Sequence, residues 1–391
     1  MPQACTSIFL FTAYPLWSET FIRQDLAFLQ KAACPVIGAA LYSGDCTPEA
    51  DWPDVTVLTP GAAPSSTISR RKSRLRELLL KLLPAKLFTA LSLWKHRALV
   101  KRLTAFARDH HATHIHAEFA DLAALVASRA ARNLGITYSV GIHAFDIHAC
   151  KFDLAALLCN ARAIAVCNQA ALDACRQRLP QTASLLHLIY HGVNLDAWHF
   201  NPPSSSPSSS VLDILFIGRL VPKKGISILL DAMALFAQLP GAPRVRLTLA
   251  GTGPLEDTLR RQADSLSLDT RWLGRQSPEQ LRALLPTMTC LCAPSIVTPD
   301  GDRDGIPNVI LEAMASGVPV VASQVGSIGE VVTPETGWPI DTLTPQTLSE
   351  TLLALWNCPD RASRIIRARK LIEDSFDARK LAETRQKILM Q

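Results

Sequence analysis

The sequence predicts an α/β protein built from two doubly wound, Rossmann-like domains that face each other across a cleft. Its 391 residues exceed the ~250–300 at which single hydrophobic cores stop growing. Short apolar runs alternate with helical patterns in both halves, which is typical of parallel α/β sheets. A Ser/Pro-rich stretch at 201–210 separates the two series and has the composition of a linker. We therefore expect domains at 1–200 and 211–376, and a helix at 377–391 that can pack back on the first domain.

The expected strands are short apolar runs, and the helices lie between them. In the first half the strands are expected at 8–11, 36–41, 55–58, 114–117, 138–141, 163–166 and 188–191. Helical patterns occupy 20–30, 120–133 and 169–178. In the second half the strands are expected at 213–217, 245–250, 270–273, 290–294 and 319–323.

Composition limits the class of protein. A hydrophobic fraction of 48% with 19% charged residues excludes wholesale disorder. No apolar run approaches the ~18 residues of a membrane-spanning helix, and the first residues lack the order of a signal peptide. We expect a cytoplasmic protein.

The ten cysteines contain no Cys-x-x-Cys pair. Cys290 and Cys292 fall in an apolar run and are expected to be buried thiols. The histidines at 110, 111, 114 and 116 could bind metal. However, their alternation fits a strand with solvated neighbours better, and no pattern completes a metal site.

The net charge of +6 is concentrated in one segment, 70–102, which holds eleven basic residues and one acid. Pro84 divides this segment into two helical pieces. In the second piece Leu87, Leu91, Trp94 and Ala98 share one face, with cations on both sides. This pattern fits a helix lying on an anionic membrane surface, or an ordinary core helix with a basic rim. Nucleic acid is not expected as a partner, because no basic groove interleaved with aromatic residues accompanies the charge.

The second half contains loops suited to binding phosphate. Arg219 and Lys224 follow a strand and offer a guanidinium and an ammonium to an anion. A Gly-rich turn at 251–253 follows the next strand. Pro307 is placed at a helix start and Gly317 at its end, so the free amides of the first turn form an anion site.

Two carboxylates flank this helix start, Asp304 outside it and Glu312 within the helix. Carboxylates accept hydrogen bonds from paired hydroxyl groups. A ligand with the order hydroxyl, phosphate, hydroxyl is therefore implied, and a nucleotide-diphosphate sugar has that order. Taken singly, Asp304 could instead be a loop N-cap and Glu312 a solvated helix residue.

These motifs resemble those of the family-4 retaining glycosyltransferases of the GT-B fold. The segment Asp304-Gly-Ile-Pro-Asn-Val-Ile-Leu-Glu312 is similar to the family's Glu-x7-Glu region. Further similar segments are Gly218-Arg219-Leu220, Lys224-Gly225, Gly251-Thr252-Gly253, Gly326 to Val331, Gly141 to Ile147 and His191 to Asn194. Tyr14 to Ile22 resembles a motif of members that build exopolysaccharide, including the colanic-acid type.

The resemblance implies specific roles. Arg219 and Lys224 would bind the donor diphosphate, so that no metal is needed, and Glu312 would hold the ribose hydroxyls. Asp304 would contact the transferred sugar near its anomeric carbon, and His143 of the first domain would close on that sugar. The remaining donor-binding positions are Gly251, Gly305, Ile306, Pro307, Asn308 and Val309.

The chain departs from the family pattern in places. Asp304 replaces the usual Glu, which shortens the carboxylate by one methylene, and Gly329 and Asn194 replace the usual Pro and Asp. Asp300 and Asp302 form an Asp-x-Asp, but their place in the motif favours loop carboxylates over metal ligands.

The expected function is retaining transfer of a sugar from a nucleotide-diphosphate sugar to a saccharide or lipid-linked acceptor in cell-surface polysaccharide biosynthesis. No cofactor is expected, and the enzyme would be peripheral on the inner face of the membrane. A nucleotide-sugar epimerase and a non-catalytic sugar-nucleotide binder remain as alternatives.

Overall fold

A computed structural model describes the chain except for residues 1–5, 17–19, 32–34, 47, 49–51, 60–82, 144–145, 148–150, 203–209 and 390–391. The chain forms two compact units. Unit 1 comprises 1–191 together with 378–391, and unit 2 comprises 192–377. The division therefore lies before the Ser/Pro stretch, most of which is outside the described residues. The C-terminal helix belongs to unit 1.

Unit 1 is built on a sheet of seven parallel strands in the order β3-β2-β1-β4-β5-β6-β7. The strands are β1 Thr6–Tyr14, β2 Val36–Ser43, β3 Val55–Val57, β4 Ala112–Ala117, β5 Thr137–Ile142, β6 Ala163–Val166 and β7 Leu186–Leu188. Its helices are α1 Thr20–Gln30, α2 Ala85–Lys95, α3 Arg97–Asp109, α4 Leu122–Leu134, α5 Leu154–Leu158, α6 Gln169–Arg178 and α13 Ala378–Leu389.

Alternating residues of β1 show that both faces of this sheet are covered. Ile8 and Leu10 pack in one core cluster, whereas Phe9 and Phe11 pack in another. A parallel sheet requires this double covering, because its crossover helices lie on both faces.

Unit 2 has six parallel strands in the order β10-β9-β8-β11-β12-β13. They are β8 Val211–Ile217, β9 Arg244–Ala250, β10 Thr270–Gly274, β11 Cys290–Ala293, β12 Val320–Ser323 and β13 Trp338–Ile340. The helices are α7 Ile226–Phe236, α8 Glu256–Ser265, α9 Pro278–Leu284, α10 Asn308–Ser316, α11 Pro345–Trp356 and α12 Arg361–Ser375.

Both sheets reverse their strand order at one point, between β1 and β4 in unit 1 and between β8 and β11 in unit 2. In open α/β sheets, ligands bind beyond the carboxyl ends of the strands at such a reversal. The two doubly wound sheets confirm the predicted fold class, and they identify one candidate edge in each unit.

The structure corrects several details. The last strand of unit 1 is Leu186–Leu188, shifted toward the N-terminus, and β13 was not predicted. Cys290 and Cys292 are buried, as predicted. His114 and His116 are also buried, so the expectation of solvated neighbours was wrong. Their side chains instead hydrogen-bond the Ser139 hydroxyl, which compensates for their burial.

The basic segment also differs from expectation. Its part at 70–82 lies outside the described residues. The remainder forms α2 and α3, which are separated at His96, so Ala98 is not on the same helix as Leu87, Leu91 and Trp94. Within the described part of the chain, none of the helices combines the length and apolar character that crossing a bilayer requires.

Candidate active site

Two glycine loops of unit 2 touch at the carboxyl ends of β8 and β9. Gly251 has a φ of 145°, and a Cβ atom there would lie 1.9 Å from the carbonyl oxygen of Gly218. Only glycine permits this approach. The Leu220 amide donates to the Thr252 carbonyl at 3.0 Å, which keeps the loops together. Gly251 is therefore at the predicted edge of the sheet.

Lys224 and Asp304 form an ion pair beside these loops. The Lys224 Nζ atom is 2.8 Å from Asp304 Oδ2, and the Ser295 hydroxyl donates to the same oxygen at 2.6 Å. Lys223 lies 3.7 Å from Asp304 Oδ1 and 3.0 Å from Asp302 Oδ1. The Asp304 side chain is 10% exposed. The carboxylate thus orients both lysines of the loop.

The charge of Asp304 follows from these partners. Burial favours the protonated form, but Lys224, Ser295 and Lys223 outweigh it and lower the pKa of Asp304 below its ordinary value. Asp304 is therefore an anion at neutral pH, and Lys224 is held in place by it.

Helix α10 begins next to Asp304. Pro307 precedes it in an extended conformation, and Gly317 ends it with a φ of 81°, in agreement with the predicted start and stop. Across the described residues no side chain caps its first turn. The amides of Asn308 and Val309 are therefore available to an anion, because the first amides of a helix have no acceptor within it.

The approach to α10 is tightly packed. A Cβ atom at Gly326 would lie 2.1 Å from the Asp304 carbonyl oxygen, so the loop after β12 supports the backbone of Asp304. The residues leading into the helix, Gly305, Ile306, Pro307, Asn308 and Val309, are all half-buried.

Glu312 lies one turn inside α10. Burial raises the pKa of its carboxyl to about 7, with Arg282 opposing the shift. The side chain keeps part of its surface accessible. Such a carboxyl can exchange hydrogen bonds with a hydroxyl ligand.

Arg219 is exposed on the loop after β8. Its guanidinium can therefore reach an anion at the carboxyl edge of the sheet in unit 2.

A second cluster lies at the carboxyl edge of the sheet in unit 1. His143 follows β5, and its Nε2 atom is 2.8 Å from Glu118 Oε1. The other carboxylate oxygen of Glu118 is 2.9 Å from His116 Nε2. Glu118 is 1% exposed. Burial favours its protonated form, but hydrogen bonds with His116 and His143 and the charge of Arg385 hold the pKa of Glu118 well below its ordinary value.

Helix α13 brings Arg385 into this cluster, where it is 2% exposed. Its NH2 atom is 3.0 Å from Asp25 Oδ2, and its NH1 atom is 3.6 Å from Glu118 Oε2. Asp25 Oδ2 also lies 2.8 Å from His191 Nδ1. One arginine from the far end of the chain therefore compensates two buried carboxylates.

Cys167 completes the cluster, with its sulfur within 4.8 Å of a ring nitrogen of His143 and of His191. Burial raises its pKa, but His143 and His191 outweigh that effect and lower the pKa of Cys167 to about 6. Burial disfavours charge on His143 as well, yet Cys167 and Glu118 raise the pKa of His143 well above its ordinary value. His143 is therefore a proton donor held by two anionic neighbours.

Sequence reasoning found His143 of this cluster as a site candidate, it considered His116 as a metal ligand and set that aside, and it placed His191 within a motif. It missed the rest: Asp25, Glu118, Cys167 and Arg385. Their positions at strand ends were the available signal for Glu118 and Cys167. Nothing local marks Arg385, because its partners are more than 250 residues away along the chain. Ser295 and Arg282 of unit 2 were also missed, although their partners Asp304 and Glu312 are close to them along the chain.

Helix α2 presents an apolar surface to solvent. Leu87, Leu91 and Trp94 are 47%, 48% and 68% exposed. Lys86 and Lys95 of the same helix are also exposed, as are Arg97, Lys101 and Arg102 of α3. The stripe is therefore not packed against the core of unit 1.

Two family models match the chain. The model described as Glycosyltransferase Family 4 matches residues 53–197, and the model described as Glycosyl transferases group 1 matches residues 201–371.

Among curated proteins, the chain is 28% identical over 190 residues to the putative colanic acid biosynthesis glycosyltransferase WcaL of Escherichia coli, covering 47% of this chain and 46% of that protein. It is 31% identical over 180 residues to the amylovoran biosynthesis glycosyltransferase AmsK of Erwinia amylovora, covering 44% of each. A GDP-mannose-dependent mannosyltransferase of Corynebacterium glutamicum is 36% identical over 144 residues, 37% of each chain. The aligned part spans less than half the length of these relatives.

Solved structures share the fold over nearly the whole chain. Anabaena HepE in complex with UDP has a TM-score of 0.70 at 19% identity, with 98% of both chains covered. A sucrose-phosphate synthase of Thermosynechococcus elongatus has a TM-score of 0.71 at 21% identity, with the same coverage. These likenesses show the GT-B fold.

Proposed function

Because the chain belongs to the glycosyltransferases, with a family 4 region followed by a group 1 region, we propose that it transfers a sugar from a nucleotide-diphosphate sugar to an acceptor. The acceptor is a saccharide or a lipid-linked saccharide of cell-surface polysaccharide biosynthesis. The named roles of WcaL and AmsK support this class of acceptor. No finding favours an epimerase or a non-catalytic binder.

One observation carries the proposal. Lys224, Asp304 and the uncapped start of α10 converge at the edge of unit 2 where the strand order reverses. A cation, an oriented carboxylate and a set of amides at one place fit a ligand that alternates phosphate and hydroxyl groups.

The donor-binding roles follow from that arrangement. Lys224, Arg219 and the amides of Asn308 and Val309 bind the diphosphate, and Glu312 binds the ribose hydroxyls. Negative charge grows on the nucleoside diphosphate as the glycosidic bond breaks. Donors fixed before the reaction stabilise that charge without reorganisation, so the step needs no metal.

Asp304 and His143 act at the sugar in this proposal. Asp304 accepts from a sugar hydroxyl near the anomeric carbon while it holds Lys224. His143 carries a proton and donates a hydrogen bond to the sugar. The acceptor attacks from the face that the diphosphate leaves, which retains the anomeric configuration.

The acceptor-side proposal is that α2 rests on an anionic membrane, on the inner face. Its support is the exposed stripe of Leu87, Leu91 and Trp94, together with exposed cations on the same helix and on α3. Apolar insertion and attraction to anionic lipid then act together. This would bring the enzyme to a lipid-carried acceptor.

The test is a screen of labelled UDP- and GDP-sugars with lipid-linked acceptors from membrane extract, because HepE was solved with UDP whereas the Corynebacterium relative depends on GDP-mannose. Transfer of label into a lipid or saccharide product supports the proposal. Nuclear magnetic resonance of the product then distinguishes retention from inversion. Formation of an epimer without acceptor, or tight donor binding with no transfer or hydrolysis, would overturn it.

The metal requirement is tested separately. Transfer is expected to persist after exhaustive treatment with a chelator. Loss of activity on chelation, restored by a divalent ion, would contradict the metal-free mechanism.

A further inference from the structure

Three potential metal ligands meet at the ends of consecutive strands of unit 1. His143 and Cys167 directly follow β5 and β6, and His191 lies three residues beyond β7. One ligand atom of each lies within 4.8 Å of the others. The two imidazole rings are nearly parallel, with centroids 5.0 Å apart and an interplanar angle of 8°. Adjacent parallel strands bring these residues together although they are about 24 positions apart in sequence.

A buried carboxylate contacts one ring nitrogen of each histidine. His143 Nε2 is 2.8 Å from Glu118 Oε1, and His191 Nδ1 is 2.8 Å from Asp25 Oδ2. The remaining nitrogens are Nδ1 of His143 and Nε2 of His191, and both rings interact with the thiol of Cys167. Histidine ligands of metals almost always have their second nitrogen bound in this way, because the carboxylate fixes the ring and makes it a better donor.

We propose that His143, Cys167 and His191 form a binding site for a divalent ion of the zinc type. Zn²⁺ accepts imidazole and thiolate ligands in a tetrahedral arrangement, with Zn–N of about 2.0–2.1 Å and Zn–S of about 2.3 Å. Such distances place the ligand atoms roughly 3.4–3.6 Å apart, which small side-chain rotations can reach from the present separations. Three protein ligands leave the fourth position open to water or to a ligand oxygen.

Charge complementarity supports a divalent ion. Asp25, Glu118 and a Cys167 thiolate contribute three negative charges, and Arg385 contributes one positive charge. The buried carboxyl of Asp146, which accepts from the His143 amide, lies beside these groups as well, so the surroundings favour a cation. On loading, the imidazolium proton of His143 leaves to solvent, the Cys167 thiolate binds the ion directly, and both imidazoles bind it in their neutral form.

Occupation of this site would inhibit transfer. This part rests on the proposed function, in which His143 donates a hydrogen bond to the sugar. A metal bound at Nδ1 fixes the ring and removes that proton donor. The ion would therefore be an inhibitor, consistent with a donor site that itself uses no metal.

The binding test uses Co²⁺ with the full chain, in the absence of any donor or acceptor. We expect the visible bands of tetrahedral cobalt together with a near-ultraviolet thiolate-to-cobalt charge-transfer band, and bleaching of both by Zn²⁺. Cys167→Ser should lose the charge-transfer band. Cys159→Ser, which removes an exposed thiol of the same unit, should keep it.

Circular dichroism of both variants checks that each is folded. If Cys167→Ser does not fold, alkylation of native protein with and without Zn²⁺ replaces it, and Zn²⁺ should protect Cys167 by at least tenfold in rate. Cobalt spectra without a thiolate band, or an unchanged band in folded Cys167→Ser, would overturn the site.

The inhibition test compares transfer with and without Zn²⁺ within each variant. We expect reversible inhibition of the wild-type chain, relief by a chelator, and at least a tenfold weaker effect in Cys167→Ser. Cobalt binding without zinc inhibition would overturn the inhibitory role. Failure of all transfer, with the cobalt bands intact, would count against the proposed function and leave the binding site supported.

Discussion

At the scale of single residues, the donor edge depends on the pairing of Lys224 with Asp304. Sequence reasoning gave these residues separate tasks, one at the diphosphate and one at the sugar. The 2.8 Å contact between them adds that each also orients the other. A charge-assisted hydrogen bond of this length holds the ammonium where a diphosphate would need it.

Replacement of Lys224 by Ala is therefore expected to lower kcat/KM for the donor by about 10²- to 10³-fold, the cost of removing one preorganised electrostatic donor. Steady-state kinetics with the donor identified by screening would measure it. Lys370→Ala, an exposed lysine of α12, serves as the control and should behave like the wild-type chain. Equal kinetics for the two variants would rule out the assignment.

The pKa of Glu312 gives a prediction about stability. In the folded chain burial raises this pKa to about 7 from an ordinary value of 4.5. Between these values the unfolded chain releases the proton first, so stability falls as pH rises through that window. Glu312→Gln should therefore raise the free energy of unfolding by about 1–3 kcal/mol at pH 8 and by little at pH 4.5.

Urea unfolding of the chain without donor, at both pH values, would check this. Glu350→Gln, on exposed surface of α11, should show no such pH-dependent gain. If Glu312→Gln is no more stable than the wild-type chain at pH 8, burial does not control this carboxyl.

The residues that sequence reasoning missed share a physical cause. Cys167, Glu118 and Asp25 come together only when β1, β4, β5 and β6 are ordered side by side, and spacing along the chain does not reveal that order. His114 and His116 were expected near solvent because they alternate with the apolar Ile115. Ser139 provides the hydrogen bonds that allow their burial, and it lies on a neighbouring strand.

At the scale of secondary-structure elements, prediction was more successful. The periodicity of apolar residues identified most strands, and the Pro307 and Gly317 signals identified the ends of α10, because these depend on local backbone chemistry. The edge strand β13 escaped because Pro339 stands at its centre, and a proline within a short apolar run argues against a strand. The break at His96 also escaped, since the pattern of exposed apolar residues continues almost unchanged across it.

Helix α2 gives the prediction at this scale. Changing Leu87, Leu91 and Trp94 together to Ser should reduce binding to vesicles that contain anionic lipid by at least tenfold, because the inserted apolar area is lost. Vesicle co-sedimentation measures this. These side chains are already exposed, so little stability should be lost.

The matched control for that experiment is Ile366→Ser, which removes an apolar side chain that is 56% exposed on α12 of unit 2. It should leave vesicle binding unchanged. Retention of full binding by the triple variant would exclude α2 as the membrane contact.

At the scale of the whole molecule, the two doubly wound units could be predicted from the length of the chain and its two series of alternating strands and helices. The unit to which the last helix belongs could not be predicted. It depends on the packing of α13 in unit 1, where Arg385 contacts Asp25 and Glu118. Amphipathic periodicity shows that one face of a helix is buried, but it does not show which part of the protein covers that face.

Arg385→Met should destabilise unit 1 by about 3–5 kcal/mol, because it leaves two buried carboxylates without their cation. Thermal unfolding followed by proteolysis would show cleavage within 6–191 at lower temperature, with unit 2 affected less. Lys387→Met, at an exposed position of the same helix, should unfold like the wild-type chain. A variant at Arg385 that unfolds like that control would refute the structural role.

The path of the chain, out of unit 1 at His191 and back into it at Ala378, sets an order for folding during synthesis. When the ribosome has made the first 191 residues, Asp25 and Glu118 have no Arg385 to face, and their burial must wait. Unit 2 is complete in sequence before α13 leaves the exit tunnel. Most of unit 1 is therefore translated before unit 2, but unit 1 can complete its fold only after unit 2 and α13 have been translated.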